Sequence, residues 1–239
     1  MAKINQRGLV DESKNTGKAR ILALVLCSSF ATVTQAEGVG VYINGGTTGF
    51  GLGLTGAMSE NVTGRLGFDT WKRSITKSDS NGNYNVDLKL RNVAALLDWY
   101  PFGGVFRTSV GLVANGNKAT LTATPTGGSY TFSGATYQAS DVGSYSGELK
   151  FNSTAPYLGI GWGNPVAKAK TWGFVSDIGV LFQGSPKISS TVTCGAAIVG
   201  TQQCTDLKNS VATSTAQLET DTKNYKYWPV ISFGLSYHF

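Results

Sequence analysis

The final fifteen residues, Tyr225 to Phe239, alternate so regularly that they restrict the chain to one kind of fold. Taking every second residue, one face carries Tyr225, Tyr227, Pro229, Ile231, Phe233, Leu235, Tyr237 and Phe239. The other carries Lys226, Trp228, Val230, Ser232, Gly234, Ser236 and His238. Successive side chains of a β-strand point to opposite faces. The first face is apolar in its middle and aromatic at both ends, the profile of a strand that meets hydrocarbon at its centre and headgroups at its rims. The second face is small or polar, as the interior of a barrel requires.

The same alternation recurs upstream. In the stretch from Trp172, the outward set is Trp172, Phe174, Ile178, Val180 and Phe182, against Gly173, Asp177, Gly179 and Gln183 inward. Pro156, Leu158, Ile160 and Trp162 oppose Tyr157, Gly159, Gly161 and Gly163, and Phe106, Thr108, Val110 and Leu112 oppose Arg107, Ser109, Gly111 and Val113. Leu66, Phe68 and Thr70 oppose Arg65, Gly67, Asp69 and Trp71, and Phe50, Leu52, Leu54 and Met58 oppose Gly51, Gly53, Thr55 and Ala57. Leu88 to Tyr100 fits less well, because Asn92 shares a face with Leu90 and Leu96; a bulge or shifted register is the expected cause.

The amino terminus reads as an export signal. Five basic and two acidic side chains in Met1 to Arg20 precede an apolar or small run, Ile21 to Val33. That run is shorter than the roughly 20 residues of a membrane-spanning helix, and it ends in Thr34-Gln35-Ala36, a small-x-small cleavage pattern. Residues 1–36 are therefore expected to be a signal peptide and residues 37–239 a single barrel domain. Cys27 follows Leu26, where a lipid-modified cysteine wants a small neighbour, which argues against lipidation. Without the leader, fifteen basic and twelve acidic residues remain from 20 and 14, so the net charge drops from +6 to +3 and gives little reason to expect nucleic-acid binding.

The connections alternate between short ones (Ser59 to Asn61, Pro101 to Gly104, Asn164 to Thr171) and long or Gly/Ser/Thr/Asn-rich ones (Ser78 to Asn83, Thr126 to Gly147, Ser190 to Lys223). Outer-membrane barrels have short periplasmic turns and longer extracellular loops. If Gly38 to Ile43 is the first strand and Asn44 to Thr48 a hairpin, the prediction is an all-β, eight-stranded antiparallel transmembrane barrel. Reading Gly38 to Met58 as one long strand would leave an odd number, which bacterial single-chain barrels avoid. A soluble sandwich or lipocalin-like barrel would also alternate, but a water-facing sheet favours Thr, Lys and Glu over the glycines found here.

The phrases GTTGFGLGL (Gly46 to Leu54), LLDWYPF (Leu96 to Phe102), APYLGIGWGN (Ala155 to Asn164), GVLFQGSP (Gly179 to Pro186) and FGLSYHF (Phe233 to Phe239) resemble a family of small proteobacterial outer-membrane barrels. More broadly they are similar to the OmpA-barrel, OmpW and opacity-protein group. The resemblance implies a monomer in the outer membrane of a Gram-negative cell, in contact with outer-membrane lipid and lipopolysaccharide. It implies no agreed activity, and the fold alone does not supply one. It also implies that the last strand, with Tyr237 and Phe239, is the signal read by the outer-membrane assembly machinery.

Candidate chemistry is sparse. Gly51 to Gly56 matches a dinucleotide fingerprint in letters, but the following Ala57 to Asn61 read as strand end and turn, where the fingerprint needs a helix. No cofactor is expected. The single histidine, His238, stands one residue from the carboxyl terminus, far from the extracellular rim where related lipid-modifying enzymes use a His, so an enzyme is not expected. One His and two Cys make no metal-ligand set of the usual spacing. Cys194 and Cys204, the cysteines left after leader removal, are expected to form a disulfide.

The inward faces supply a lumen polar network of Arg65, Asp69, Arg91, Arg107 and Asp177, together with Arg73, Asp87 and Lys89, and lumen aromatics Trp71, Tyr157 and Trp228. The charges are expected to pair and plug the barrel, since eight strands leave an interior just wide enough for side chains. The expected role is structural or surface-interacting, with a narrow conduit for small or hydrophobic solutes as the alternative and a lipid-modifying enzyme as a distant third. Deleting Phe239 is expected to leave the protein unassembled in the periplasm, observed as loss of the heat-modifiable band from the outer-membrane fraction; a normal band would contradict it.

Overall fold

The computed structural model describes residues 38–163 and 172–239. The leader, residues 1–36, and the expected short turn at 164–171 lie outside the described residues. Eight antiparallel strands close into a ring: β1 (Val39–Gly46), β2 (Gly49–Ser59), β3 (Val62–Ser78), β4 (Gly82–Trp99), β5 (Phe106–Asn115), β10 (Thr154–Trp162), β11 (Trp172–Phe182) and β13 (Tyr227–His238). Closure is made where β5 pairs with both β4 and β10 and where β13 pairs with β1. The residues between β1 and β2 are only Thr47 and Thr48, so Gly38 to Met58 is a hairpin and the ring has eight strands.

The ring is inverted relative to a soluble protein, apolar on its outer wall and carrying its buried charges within. Ile43, Phe50, Leu52, Leu66, Val110, Leu158, Phe174 and Phe233 are all exposed on its outer wall. At the short-turn end Trp99, Phe102, Trp162, Trp172 and Phe239 form an aromatic girdle, with Trp172, Tyr237 and Phe239 in ring contact at 5.2 and 5.3 Å. Phe182 and Tyr227 meet edge to face at the opposite rim, 5.5 Å apart. Such girdles mark the two headgroup levels of a membrane barrel.

The β3–β4 ladder runs without a break from Val62↔Trp99 to Ser78↔Asn83. The bulge expected near Asn92 is therefore absent, and the face containing Leu90, Asn92, Leu96 and Asp98 points into the lumen. Above the ring this hairpin continues as a wall. At Arg91, β4 changes neighbour from β5 to β6 (Lys118–Pro125), which pairs with β9 (Val142–Lys150), which pairs with β12 (Lys187–Cys194). Asparagines satisfy the backbone at this switch: Gly116 N donates to Arg91 O at 2.8 Å, Arg91 N to Asn117 Oδ1 at 3.1 Å, and Asn117 N to Asn115 Oδ1 at 3.0 Å.

Two stretches expected as loops are ordered structure. Within Thr126 to Gly147 lie the hairpin β7 (Ser129–Phe132) and β8 (Ala135–Gln138) and the start of β9. Within Ser190 to Lys223 lie the end of β12 and a helix, α1 (Gln202–Thr222). The helix packs Cys204, Leu207 and Val211 against Tyr137, Val142, Val192 and Ile198. Burying Leu207 fully contributes about 2 kcal/mol. Tyr137 Oη and Ser210 Oγ meet at 2.9 Å, and Ser190 and Thr215 share a hydroxyl hydrogen bond.

A disulfide between Cys194, the last residue of β12, and Cys204, in the first turn of α1, ties the helix to the wall. Closing a loop this short stabilises it by roughly 2–3 kcal/mol in the chain-entropy model. Denatured, unreduced protein is expected to show no thiol that reacts with maleimide at these positions, and Cys204→Ser is expected to speed proteolysis of α1 while leaving the heat-modifiable barrel intact. Two labelled cysteines without reductant would refute the bridge.

Candidate functional site: the closed lumen

Five ring strands together contribute six polar side chains to a single level in the short-turn half of the lumen. Arg65 (β3), Asp98 (β4), Arg107 and Ser109 (β5), Asp177 (β11) and Ser232 (β13) are all buried, Arg107 and Asp98 completely. Arg65 reaches Asp177 through Nη1–Oδ2 at 2.9 Å and Nη2–Oδ1 at 3.0 Å, and Asp98 through Nε–Oδ2 at 3.0 Å and Nη2–Oδ1 at 3.1 Å. Arg107 Nη2 binds Asp177 Oδ1 at 2.9 Å, and its Nε lies 3.7 Å from Asp98 Oδ2. Ser109 donates to Asp98 Oδ1 at 2.5 Å. Two arginines and two aspartates leave the cluster without net charge, and planar guanidinium forks on carboxylates give the directed geometry that compensates for desolvation.

Backbone groups complete it. Arg107 Nη1 donates to Gly163 O at 2.6 Å and Nη2 to Ser176 O at 3.3 Å. Gly163 adopts φ of 107°, a region that favours glycine, and this turns its carbonyl toward the guanidinium. Inward glycines provide the room: a Cβ at Gly161 would come within 2.9 Å of Arg107 Cζ, one at Gly67 would strike the Tyr42 hydroxyl, and one at Gly159 would strike that of Tyr157. The Tyr42 ring lies over Arg65, 5.7 Å from Cζ, a cation–π contact that closes the cluster from above.

Higher in the lumen the filling becomes apolar. Val113, Ala155, Tyr157, Leu181 and Val230 form a cluster, with Leu96 and Trp228 packed against it. Between the charged and apolar layers a cavity of about 60 Å³ remains, with Tyr42, Asn44, Asp69 and Asn92 in its walls.

Of the residues expected in the polar network, Arg65, Arg107 and Asp177 are brought together. Asp69 lies elsewhere, accepting from Asn44 Nδ2 at 3.1 Å in the cavity wall. Arg91 faces outward: the unbroken β3–β4 register places it opposite Thr70 on the outer wall, together with Asp87 and Lys89. Tyr157 and Trp228 fill the lumen, but Trp71 is 37% exposed, because β3 has risen above the ring at that point. Arg73 follows Trp71 above the ring and is exposed. Asp98 was missed, although it stands between two residues whose outward aromatic and apolar character marks its own side as the lumen, Leu97 and Trp99.

His238 lies at the short-turn end, 3.5 Å from Ser236 Oγ, and Gly51 to Gly56 lies wholly within β2, followed by a turn and β3. Among the described residues no group of three or more His, Cys, Asp or Glu is placed to hold a metal ion.

A closed ring of eight antiparallel strands with an apolar outer belt, aromatic girdles and a filled polar lumen is an outer-membrane β-barrel. Solved structures with the same fold include CarO2 of Acinetobacter baumannii, 23% identical with a TM-score of 0.54, covering 86% of this chain and 100% of that one. CarO of Acinetobacter baumannii is 24% identical with a TM-score of 0.52, covering 84% of this chain and 97% of that one. No protein-family description matches the chain, and no curated protein matches it.

Removing one partner of a buried ion pair typically costs about 3–5 kcal/mol. Asp177→Ala and Asp98→Ala are each expected to lower markedly the temperature at which the folded, fast-migrating band is lost on gels. Asp69→Ala, outside the cluster, is expected to lower it by less than half as much. Replacing Arg107 and Asp177 together should be milder than the sum of the two single changes, since Arg65 and Asp98 remain as a neutral pair. Equal shifts for Asp69 and Asp177 would contradict the assignment.

Proposed function

We propose that the protein is a non-conducting, non-catalytic resident of the outer membrane that acts at the cell surface through the structure above its ring. On this reading the short turns face the periplasm and the wall with α1 faces the exterior. The carrying observation is the Arg65–Asp98–Arg107–Asp177 cluster, which spans the lumen from strands on opposite sides of the ring. A cavity of about 60 Å³ is far smaller than the roughly 300–1,000 Å³ of pockets that take small-molecule ligands. A surface role is supported by the wall itself, whose lumen-side face exposes Trp71, Ile75, Val86 and Leu121 while the disulfide and α1 hold it in shape. Rigid scaffolds that carry exposed, non-core apolar groups are where binding is usually found.

Planar-bilayer recording decides between this reading and a narrow conduit. The purified wild type is expected to give no unitary current steps, whereas the Arg107→Ala, Asp177→Ala double variant is expected to give small ones. Stepwise currents from the wild type would establish the conduit instead.

A further inference from the structure

Five lysines stand directly opposite one another on five neighbouring strands. Lys72 of β3 faces Lys89 of β4, Lys89 faces Lys118 of β6, Lys118 faces Lys150 of β9, and Lys150 faces Lys187 of β12. Residues paired in this way put their side chains on the same face of a sheet, and strands lie about 4.8 Å apart, so the row extends about 19 Å. Like charges directly opposite destabilise a sheet. Glu148 relieves two of them, accepting from Lys118 at 3.1 Å and from Lys150 at 2.5 Å, and these bonds hold its carboxyl below the usual range. Among the described residues Lys72, Lys89 and Lys187 form no ion pair, and Arg91 lies one step below Lys89 on the same face. The acidic residues of this face are Asp87, bonded to Ser74, and Glu148, so six cations meet two anions.

The row belongs to the outer wall, not the lumen. Downward along β4 the outward residues are Lys89, Arg91, Val93, Ala95, Leu97 and Trp99, which is the transition from charge to lipid-facing belt to girdle. Below Arg91 the outer wall is concave. Gly56, Gly64 and Ala95 leave a groove of about 720 Å³, with Leu54, Met58, Leu66, Leu97, Val110 and Leu112 along its sides. From Lys89 to Ala95, which with Leu66 and Leu112 heads the groove, is about 20 Å along the strand, the reach of a phosphorylated headgroup with most of its acyl chain, and the groove runs on from there to Met58 and Val39 beside the short turns.

We propose that Lys72, Lys89 and Arg91, continued by the row to Lys187, bind the phosphate groups of an outer-leaflet glycolipid of the lipopolysaccharide class, with the end of one acyl chain entering the top of the groove beneath. The proposal rests on the orientation given above, in which the wall rises from the outer leaflet. Phosphate supplies the counter-charge that the ladder lacks, and the groove explains why the occupant is a lipid rather than a free anion.

Native mass spectrometry of the folded barrel in neutral detergent, with added diphosphoryl lipid A, tests it. Each Lys or Arg near an anionic lipid surface contributes enough that removing three should weaken retention by at least about tenfold. The Lys72→Gln, Lys89→Gln, Arg91→Gln variant should therefore lose the lipid, whereas Lys72→Arg, Lys89→Arg should keep it. Lys77→Gln, Lys208→Gln, Lys223→Gln, which removes the same charge elsewhere, should change retention by less than about twofold. Dephosphorylated lipid A should bind as weakly as the glutamine variant does. Undiminished retention by that variant, equal binding of the dephosphorylated lipid, or full displacement by millimolar inorganic phosphate would each overturn the proposal. A conducting wild type would defeat the closed-lumen reading and leave these outcomes untouched.

Discussion

Hydrocarbon offers no hydrogen-bonding partner to a peptide group, so every strand that crosses it has to be paired on both edges. In this chain that requirement is met by two closures, β13 on β1 and β5 on β10, and both impose register. Once Gly161 is opposite Arg107 and opposite Asp177, the guanidinium and the carboxylate are bound to meet inside the ring. The β2–β3 and β3–β4 ladders set Thr55 and Leu96 opposite Arg65, which leaves Asp98 two residues away on the lumen face. The buried cluster is thus a consequence of the backbone ladder, and its neutrality is what makes the ladder tolerable.

Most of the ring was legible in the sequence because the membrane forces a sharp contrast between its two faces. β13, β11, β10, β5 and β2 each show it, and each has the expected face exposed. β4 failed because it is apolar on both sides: Val93, Ala95, Leu97 and Trp99 outward, Leu90, Ala94 and Leu96 inward. With no contrast to read, the charge of Arg91 points to the polar face and makes Asn92 look like an intruder. Fixing the phase on Trp99 as a girdle residue, rather than on the charges, places Asp98 and Asn92 inward and Arg91 outward without any bulge.

The helix was hidden for a different reason. Threonine is a poor helix former, and Gln202–Thr222 carries several. In the folded chain they bond back to their own helix: Thr213 to Asn209 O at 3.0 Å, Thr215 to Val211 O at 2.8 Å, and Thr220 to Ala216 O at 2.9 Å. That pattern is neutral at best for an isolated helix. The stability comes instead from the disulfide and from Leu207 and Val211 buried on the wall, a burial that leaves no local signature beyond the spacing Cys204, Leu207, Val211.

Above the ring the constraint changes, and the sheet changes with it. Water can satisfy exposed backbone groups there, so the upper parts of β3 and β4 need not be enclosed in a ring, and the wall stops at β3 on one side and β12 on the other. The free upper edge of β3 carries Lys72, Arg73 and Lys77, charges that discourage pairing with another chain. The wall keeps the register of the ring below it through β4, which belongs to both. An outward residue in the lipid belt and an outward residue on the wall are therefore parts of one continuous surface. That continuity is why Lys89 and Arg91 stand over Val93 and Ala95: the single strand that crosses the membrane boundary aligns headgroup-level charge with acyl-level groove by the two-residue repeat alone.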